Sequence, residues 1–481
     1  MKTASTGRPP VPAAAIERLK ALVGPSGWLE GESDTFAYRK SWRYGYVGDT
    51  PLVLRPVTTD EVVAIVKLCN AENIAIVPQS GNTGLTFGGN PGTDRSEIVV
   101  TTERMSKILD VDLGNDTMTV EAGVVLQTIQ EEAAKNNRLF PLSLGAQGSC
   151  RIGGNISTNA GGVQVLRYGN TRNLVLGLEV VLPDGRVWNG LRGLRKDNTG
   201  YDMKHLFIGG EGTLGIVTKA VIRLFPKPSA SETAWLAVDD PETAVSLLGR
   251  MRELVGDQLT AFELMRRQIV DFLLVGIPGH EDPMAEKHPW YVLLDVSSQG
   301  PAGSLSEPFA EALGTCMEEG LIRDAVIAQN QAQSDRLWRM REDMADAQRA
   351  VGGSIGHDIS VPVSRIAEFI SETDSVMEQR FPGMRHCCFG HVGDGNMHYN
   401  PVRPEGWTPD QWLEHYKEIN RIVHDRVIKY GGSISAEHGI GRLRLDENYH
   451  YKSDVELDMM RAIKQAFDPK GIMNPGKVVR L

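Results

Sequence analysis

Residues 144–162 read LGAQGSCRIGGNISTNAGG and are dense in glycine and small polar residues. A second segment of this kind, PQSGNTGL at 78–85, directly follows a predicted strand at 74–78. Successive backbone N–H groups in such loops form a nest for anions, and the missing side chains let a pyrophosphate come close. Ordinary turns also use glycine. Two such loops in one α/β region exceed what turns need, so they predict a phosphate-containing cofactor.

The segments around these loops alternate between strand and helix patterns as far as Pro226. Beyond Pro226 the composition changes, and the pattern predicts an α+β domain. The predicted strands are 52–55, 74–78, 98–101, 117–121, 174–182, 186–188 and 215–224, and the predicted helices are 12–23, 59–70, 125–136, 243–254, 306–319, 331–351, 363–380 and 410–430.

Gly210-Glu-Gly-Thr-Leu-Gly215 matches the dinucleotide pattern G-x-G-x-x-G, but its surroundings argue against a nicotinamide domain. That motif opens a helix and is followed about 20 residues later by an acidic residue. Here a β-branched strand follows, and the residue 20 positions after Gly210 is Ala230. NAD binding is therefore not predicted.

The 481-residue chain is too long for one ordinary core, so two or three domains are expected. Its net charge of −10 and the lack of a dense Lys/Arg run argue against nucleic acid as a partner. Five cysteines without a C-x-x-C pair favour a reducing compartment. The N-terminus lacks the apolar run of a signal peptide, and no stretch is long and apolar enough to span a membrane. We therefore expect a cytoplasmic protein.

Two histidines flank a Gly-Asp-Gly-Asn turn in GHVGDGNMHYN, residues 390–400. If 393–396 is the turn of a hairpin, Val392 pairs with Met397 and His391 lies directly opposite His398. With a carboxylate from the AEHG segment at 436–439, two imidazoles form an N/N/O set suited to zinc or manganese. Alone, such a spacing is more often structural than metal-binding.

Together, the glycine-rich loops and the later motifs DISVP (358–362), GHVGDGNMHYN, SAEHGIG (435–441) and DPKGIMNPGK (468–477) resemble the vanillyl-alcohol oxidase (PCMH-type) superfamily. They resemble most the branch of FAD-dependent D-2-hydroxy-acid dehydrogenases that contains D-lactate and D-2-hydroxyglutarate dehydrogenases. The resemblance runs from about residue 30 to 480. It implies an α+β fold: an N-terminal segment (1–47), a PCMH-type FAD-binding domain (48–227), an FAD-linked oxidase C-terminal α+β substrate domain carrying a metal site (228–440), and a C-terminal segment returning to the FAD site (441–481).

The resemblance also implies which residues hold FAD and a divalent metal. Some relatives attach FAD covalently through a histidine in the first loop, and residues 78–90 contain none. Noncovalent FAD is therefore expected. The metal, expected to be zinc with manganese as an alternative, would be held by His391, His398 and Glu437. The FAD-binding residues implied are Pro78, Ser80, Gly81, Asn82, Thr83, Gly84, Leu85, Gly145, Gly148, Ser149, Gly153, Asn155, Thr158, Asn159, Ala160, Gly161, Gly212, Ile216, Val217 and Asn474.

Flavin oxidises an alcohol by taking a hydride from carbon while a base removes the hydroxyl proton. His438 is the expected base and also contacts the substrate, because an imidazole titrates near working pH. Arg341 lies in the family's W-x-x-R pattern and is expected to bind the substrate carboxylate, and Asn400 resembles a family substrate contact. The cation would bind the hydroxyl and a carboxylate oxygen.

Two positions depart from the D-2-hydroxyglutarate pattern. The family's Thr one turn after the arginine is Ala345 here, and its Lys before the D-x-S-x-P motif is Gly356. Neither side chain can bind an anion, so the sequence favours a shorter D-2-hydroxy acid such as lactate. His357 next to Gly356 could partly compensate.

Two alternatives keep the flavin fold. One is a redox-neutral enzyme like alkyl-glycerone-phosphate synthase, which needs a pocket for a phosphate and a lipid chain. The other is a flavin electron-transfer subunit of a larger oxidase complex, in which the metal-binding residues and the catalytic base would have been lost from the sequence. For the dehydrogenase, we expect a non-NAD acceptor such as an electron-transfer flavoprotein, a cytochrome or a quinone. A homodimer is one option for its quaternary state.

Overall fold

The computed structural model describes residues 7–481, which form two compact units. The first unit contains the chain through Gly162, then Gly169–Pro226 and Glu437–Leu481; the second contains Val163–Tyr168 and Lys227–Ala436. Residues 1–6 of the expected N-terminal segment (1–47), which are also the first residues of the stretch expected to lack a signal peptide, lie outside the described residues.

Three sheets form the first unit. The strands Val53–Leu54, Glu97–Thr101 and Ala75–Gln79 pair in parallel, with Trp28–Leu29 added antiparallel at the edge. The second sheet is antiparallel, in the order Ile108–Asp112, Thr117–Glu121, Ile216–Arg223, Val175–Val181 and Val187–Gly190, and a two-stranded sheet pairs Phe225–Pro226 with Arg138–Leu139. The helices are Ala13–Val23, Glu32–Arg39, Thr59–Glu72, Leu126–Lys135, Ile152–Thr158, Thr171–Leu174, Lys204–Phe207, Leu445–Tyr451 and Asp454–Phe467.

Local capping chemistry explains where several helices begin. The Thr58 hydroxyl accepts the N–H of Glu61 at the start of Thr59–Glu72. A capping box between Ser453 and Glu456 opens Asp454–Phe467. These signals are visible in the sequence, and the helix predicted at 59–70 is confirmed. Ile216–Arg223 is a strand, which confirms that the GEGTLG segment opens no helix.

The C-terminal segment completes the first unit. Met473 forms a parallel bridge with Ile76, and the N–H of Asn474 donates to the carbonyl of Ile76 at 2.8 Å. The buried ammonium of Lys464 donates to the carbonyls of Thr213 and Met473 and to the Asp468 carboxylate, each at 2.6 Å. The last 45 residues therefore supply part of the unit's interior.

One seven-stranded antiparallel sheet organises the second unit. Its order is Asp324–Ile327, Ala230–Val238, Trp290–Ser298, Leu259–Arg266, Cys388–His391, Asn396–Tyr399 and Asp358–Ser360. The helices are Val165–Tyr168, Pro241–Val255, Arg267–Gly276, Ser306–Glu318, Gln331–Ala350, Ile366–Arg380, Pro409–Glu414 and Tyr416–Lys429, and short 3₁₀ turns span Gly256–Gln258, Val363–Arg365 and Val392–Asp394.

The helix predicted at 410–430 is two helices in the structure, Pro409–Glu414 and Tyr416–Lys429, because the helix is interrupted at His415. The helix Arg267–Gly276 was not predicted. All five cysteines are buried and free. Within residues 7–481, no helix has the length and apolarity needed to cross a bilayer.

Candidate active site

The first unit contains an open cleft walled mainly by glycine and small polar residues. The predicted FAD-binding residues that line it are Pro78, Ser80, Gly81, Asn82, Thr83, Gly84, Gly153, Asn155, Thr158, Gly212, Ile216 and Val217, together with the predicted base His438. Leu85, Gly145, Gly148, Ser149, Asn159, Ala160, Gly161 and Asn474 are not part of its lining. The lining also contains residues that were not named individually as FAD-binding. Gln79, Cys150, Arg151, Gly154 and Ser157 lie within the two predicted loops, whereas Thr86, Gly88, Gly89, Thr102, Glu211 and Gly215 lie outside them.

Two buried acceptor groups in this cleft fit the binding of FAD. The side-chain carbonyl oxygens of Gln79 and Asn155 are buried without a hydrogen-bond partner among the described residues. Both residues line the cleft. An unpartnered buried acceptor is costly, so a bound group carrying N–H donors would satisfy them. Asn474 has a supporting role, because its amide donates to the carbonyls of Gly88 and Glu211 at 3.0 and 2.7 Å.

Gly81 is the glycine at which the two predicted loops come closest. A methyl group there would lie 2.7 Å from the Ser149 carbonyl oxygen and 2.9 Å from the Cys150 Cα. Gly81→Ala is therefore expected to push the loops apart, at a cost of about 1–3 kcal/mol. We expect FAD affinity to fall roughly tenfold or more, measured as the flavin retained per chain after dilution. Gly249→Ala is the control, because nothing lies within 4 Å of the added methyl; equal flavin retention in both variants would contradict the prediction.

Glu211 holds the segment that carries His438. Its carboxylate accepts the N–H groups of Ile440 and Gly441 at 2.7 and 2.8 Å. The hydroxyl of Thr86 donates to the His438 carbonyl at 3.1 Å. Burial raises the pKa of Glu211 to about 7, although the two N–H groups and the charge of Lys477 lower it. Thr86 and Glu211 thus hold the backbone of residues 438–441 within the first unit.

Glu437 lies in the same segment. A methyl group on Gly161, in the second glycine-rich loop, would come within 2.7 Å of a Glu437 carboxylate oxygen. One residue earlier, the chain belongs to the second unit: the N–H of Ala436 donates to the Asp358 carbonyl at 3.2 Å. Asp358 is the cross-strand partner of His398.

The predicted register of the histidine hairpin is wrong by two residues. His391 pairs with Asn396 and His398 pairs with Phe389, while Met397 pairs with Gly390. The turn is a 3₁₀ turn at Val392–Asp394 closed by Gly395 in the left-handed region (φ 85°). The residues between the paired ends His391 and Asn396 are therefore 392–395, whereas the turn was predicted at 393–396.

A shift of two residues leaves each side chain on its original face, because side chains alternate with a period of two. Both histidines therefore point to one side of the sheet, on a diagonal. Their ring centroids are 6.0 Å apart. The ring of Phe389 lies 5.1 Å from that of His398.

A buried carboxylate that sequence reasoning missed lies between His391 and Arg341. Glu263 is the cross-strand partner of His391 on the strand Leu259–Arg266. One carboxylate oxygen of Glu263 contacts Nδ1 of His391, and the other accepts Nε of Arg341 at 2.6 Å. Burial raises the pKa of Glu263, but the charges of Arg341 and His391 outweigh burial and lower it to about 2. Its only sequence signal is an acid inside an apolar strand.

Arg341 is buried rather than solvated: the residue is 8% exposed, and its guanidinium carbon lies 4.7 Å from the centre of the Phe389 ring. Within residues 7–481, Nε is its only hydrogen-bonded nitrogen. Its two terminal nitrogens are therefore available to a carboxylate.

Asn400 is also buried, and its side-chain oxygen accepts the backbone N–H of His357 at 2.9 Å. This bond occupies one of the two acceptor sites of the oxygen, and the amide N–H groups can donate to a substrate. The Nδ1 of His357 lies 2.7 Å from the Tyr399 carbonyl. Of the two positions that depart from the D-2-hydroxyglutarate pattern, Gly356 is buried and Ala345 is exposed.

The chain is similar to known proteins over nearly its full length. Residues 50–190 match the family described as "FAD binding domain", and residues 227–478 match "FAD linked oxidases, C-terminal domain". D-2-hydroxyglutarate dehydrogenase of Stutzerimonas stutzeri is 35% identical over 97% of this chain and 98% of its own length. The mitochondrial D-2-hydroxyglutarate dehydrogenase of Arabidopsis thaliana is 37% identical over 96% of this chain and 81% of its own. A solved alkyldihydroxyacetonephosphate synthase superposes with a TM-score of 0.74 at 17% identity, covering 99% of this chain and 88% of its own.

The glycine-lined cleft and the two matched domains define a flavoprotein oxidoreductase, which confirms the expected PCMH-type FAD-binding domain and FAD-linked oxidase C-terminal domain. The chain therefore belongs to the FAD-linked oxidase family, in the branch of the D-2-hydroxyglutarate and D-lactate dehydrogenases.

Proposed function

We propose that this enzyme oxidises a D-2-hydroxy acid to the 2-oxo acid, using noncovalent FAD and a divalent cation and passing electrons to an acceptor other than NAD. The observation that carries the proposal is Arg341. A buried guanidinium held at Nε, with both terminal nitrogens available, is suited to grip a carboxylate through two parallel hydrogen bonds. The relatives named D-2-hydroxyglutarate dehydrogenase support the same substrate class.

In the proposed reaction, Arg341 binds the substrate carboxylate and the Asn400 amide donates to a substrate oxygen. His438 removes the hydroxyl proton as the C–H bond releases its hydride. FAD, when bound, supplies the hydride acceptor at N5 of its ring. The breaking of one C–H and one O–H bond leaves the carbonyl of the 2-oxo acid.

The proposed cation ligands are His391, His398 and Glu437. The common face and 6.0 Å separation of the two histidine rings support this assignment. So does the hydrogen bond of Ala436, the residue before Glu437, to the cross-strand partner of His398. A divalent cation bound there would lower the pKa of the substrate hydroxyl as a Lewis acid. Two nitrogens and one oxygen favour zinc, with manganese as the alternative.

We propose that the tail of the preferred acid is short. A substrate with a second carboxylate finds no anion-binding side chain at Ala345 or Gly356. His357 is a weak substitute, because it is 1% exposed and its Nδ1 faces a backbone carbonyl. D-lactate is therefore expected to be preferred over D-2-hydroxyglutarate. The names of the relatives point instead to D-2-hydroxyglutarate as the substrate.

A substrate screen tests the proposal. The purified protein should be yellow, with flavin absorbance at about 450 nm, and should reduce a dye acceptor with D-lactate, D-malate or D-2-hydroxyglutarate but not with their L-isomers. We expect the highest kcat/KM with D-lactate. Absence of flavin, or activity only on L-isomers, would refute the proposal. A preference for D-2-hydroxyglutarate would refute only the assignment of the tail.

The acceptor and the location are proposed on less specific grounds. An electron-transfer flavoprotein, a cytochrome or a quinone would each accept electrons from reduced flavin. The Arabidopsis relative is named mitochondrial, whereas the name of the Stutzerimonas relative carries no compartment. A cytoplasmic location and a homodimer stay predictions. The likeness to alkyldihydroxyacetonephosphate synthase supports the fold alone and does not favour redox-neutral chemistry.

A further inference from the structure

Glu263 is the only acidic residue on the strand Leu259–Arg266, whose first seven residues are all buried. Its side chain is fully shielded from solvent, at 0% exposure. An ionised carboxylate in such a place is costly unless it is paired and hydrogen-bonded. Here one oxygen forms an ion-pair contact with His391, and the other accepts a hydrogen bond from Nε of Arg341.

Each contact is made at one defined nitrogen of its partner. At Arg341, Glu263 occupies Nε, so the two terminal nitrogens remain for a carboxylate. At His391, the contact is made at Nδ1. A carboxylate in contact with one ring nitrogen restricts the orientation of the imidazole.

We propose that Glu263 is a positioning residue that orients the substrate-binding Arg341 and the cation ligand His391 together. The inference rests on the proposed function and deepens it. It adds no chemical step, because Glu263 acts through its two neighbours. It predicts that one substitution should weaken both cation binding and substrate binding.

The same sheet offers a matched control. Asp295 pairs with Ala261, which is two residues before Glu263, so the two carboxylates point to the same face. Asp295 accepts Nε1 of Trp338 with both oxygens at 3.0 Å, and also the Thr233 hydroxyl. It thus attaches the helix Gln331–Ala350 to the sheet as Glu263 does, but touches no proposed site residue.

The test compares Glu263→Gln with Asp295→Asn in the FAD-loaded, full-length protein. Zinc alone is titrated into the metal-free form of each variant, and KM and kcat are measured with the best D-2-hydroxy acid. For Glu263→Gln we expect zinc affinity to fall roughly 10–100-fold and KM to rise, with FAD content unchanged. Asp295→Asn should keep the zinc affinity of the wild type.

Two results would overturn the inference: unchanged zinc affinity in Glu263→Gln, or an equal loss in Asp295→Asn, which would mean a structural role. If Glu263→Gln fails to fold, Glu263→Asp keeps the charge on a shorter side chain. That variant should fold and still bind zinc more weakly than the wild type, and wild-type affinity would refute the inference. A wild-type protein that binds no zinc and oxidises no 2-hydroxy acid refutes the proposed function itself.

Discussion

Replacement of His391 by alanine is expected to lower turnover at least about 1000-fold while FAD stays bound. The proposed cation provides several kcal/mol of stabilisation to the developing alkoxide, and each 1.36 kcal/mol is about tenfold in rate. The flavin cleft lies within the first unit, whereas His391 belongs to the second. The dye-linked rate, the flavin absorbance and the zinc content per chain are the three measurements.

The control for this substitution is His450→Ala. His450 is exposed on the helix Leu445–Tyr451 and is not among the proposed ligands. It should keep the rate, flavin and zinc of the wild type. Glu437→Ala should behave like His391→Ala. Full activity in either ligand variant would refute the role of the metal, and loss of flavin along with activity would show that the substitution damaged the fold.

Arg341→Lys is expected to lower kcat/KM about 100-fold, mainly through KM. A lysine can keep an ion pair with Glu263, but a single ammonium then has no second pair of donors for the substrate carboxylate. Alanine would be less informative, because removing one ionic partner of the buried Glu263 carboxylate costs about 3–5 kcal/mol of stability. Steady-state kinetics with the best D-2-hydroxy acid, together with the thermal midpoint, check the prediction.

Arg339→Lys is the matched control, since Arg339 is exposed on the same helix two residues earlier. It should leave KM unchanged. If Arg341→Lys also keeps the KM of the wild type, Arg341 does not bind the substrate. If both variants lose activity equally, the helix rather than the guanidinium is responsible.

Local features of the fold could be predicted because their causes are local. Thr58 caps its helix from one residue away, and the strand predicted at 117–121 is found at Thr117–Glu121. The face shared by His391 and His398 was also predictable, because alternation along a strand survives a shift of two residues. The register itself was not predictable, since a 3₁₀ turn and a two-residue hairpin turn both accommodate a Gly-Asp-Gly sequence.

The residues that sequence reasoning missed depend on long-range pairing. Glu263 meets His391 from a strand 128 positions earlier, and Glu211 meets Ile440 across 229 positions. No periodicity or motif in a single chain encodes which strands become neighbours. The ligands and the flavin loops carry their own signals, whereas the residues that orient them become visible only once the sheet is assembled.

The division of the first unit into three chain segments has a consequence for biosynthesis. Lys227–Ala436 is nearly the whole of the second unit and emerges from the ribosome before the residues that complete the first. Because domains tend to fold as units during synthesis, the inserted unit can form while its host is still incomplete. The bridge from Ile76 to Met473 and the hydrogen bonds of the Asn474 amide can form only after the inserted unit has been synthesised. We therefore expect flavin capture to follow synthesis of the inserted unit, and chains truncated before Met473 should lose their cofactor.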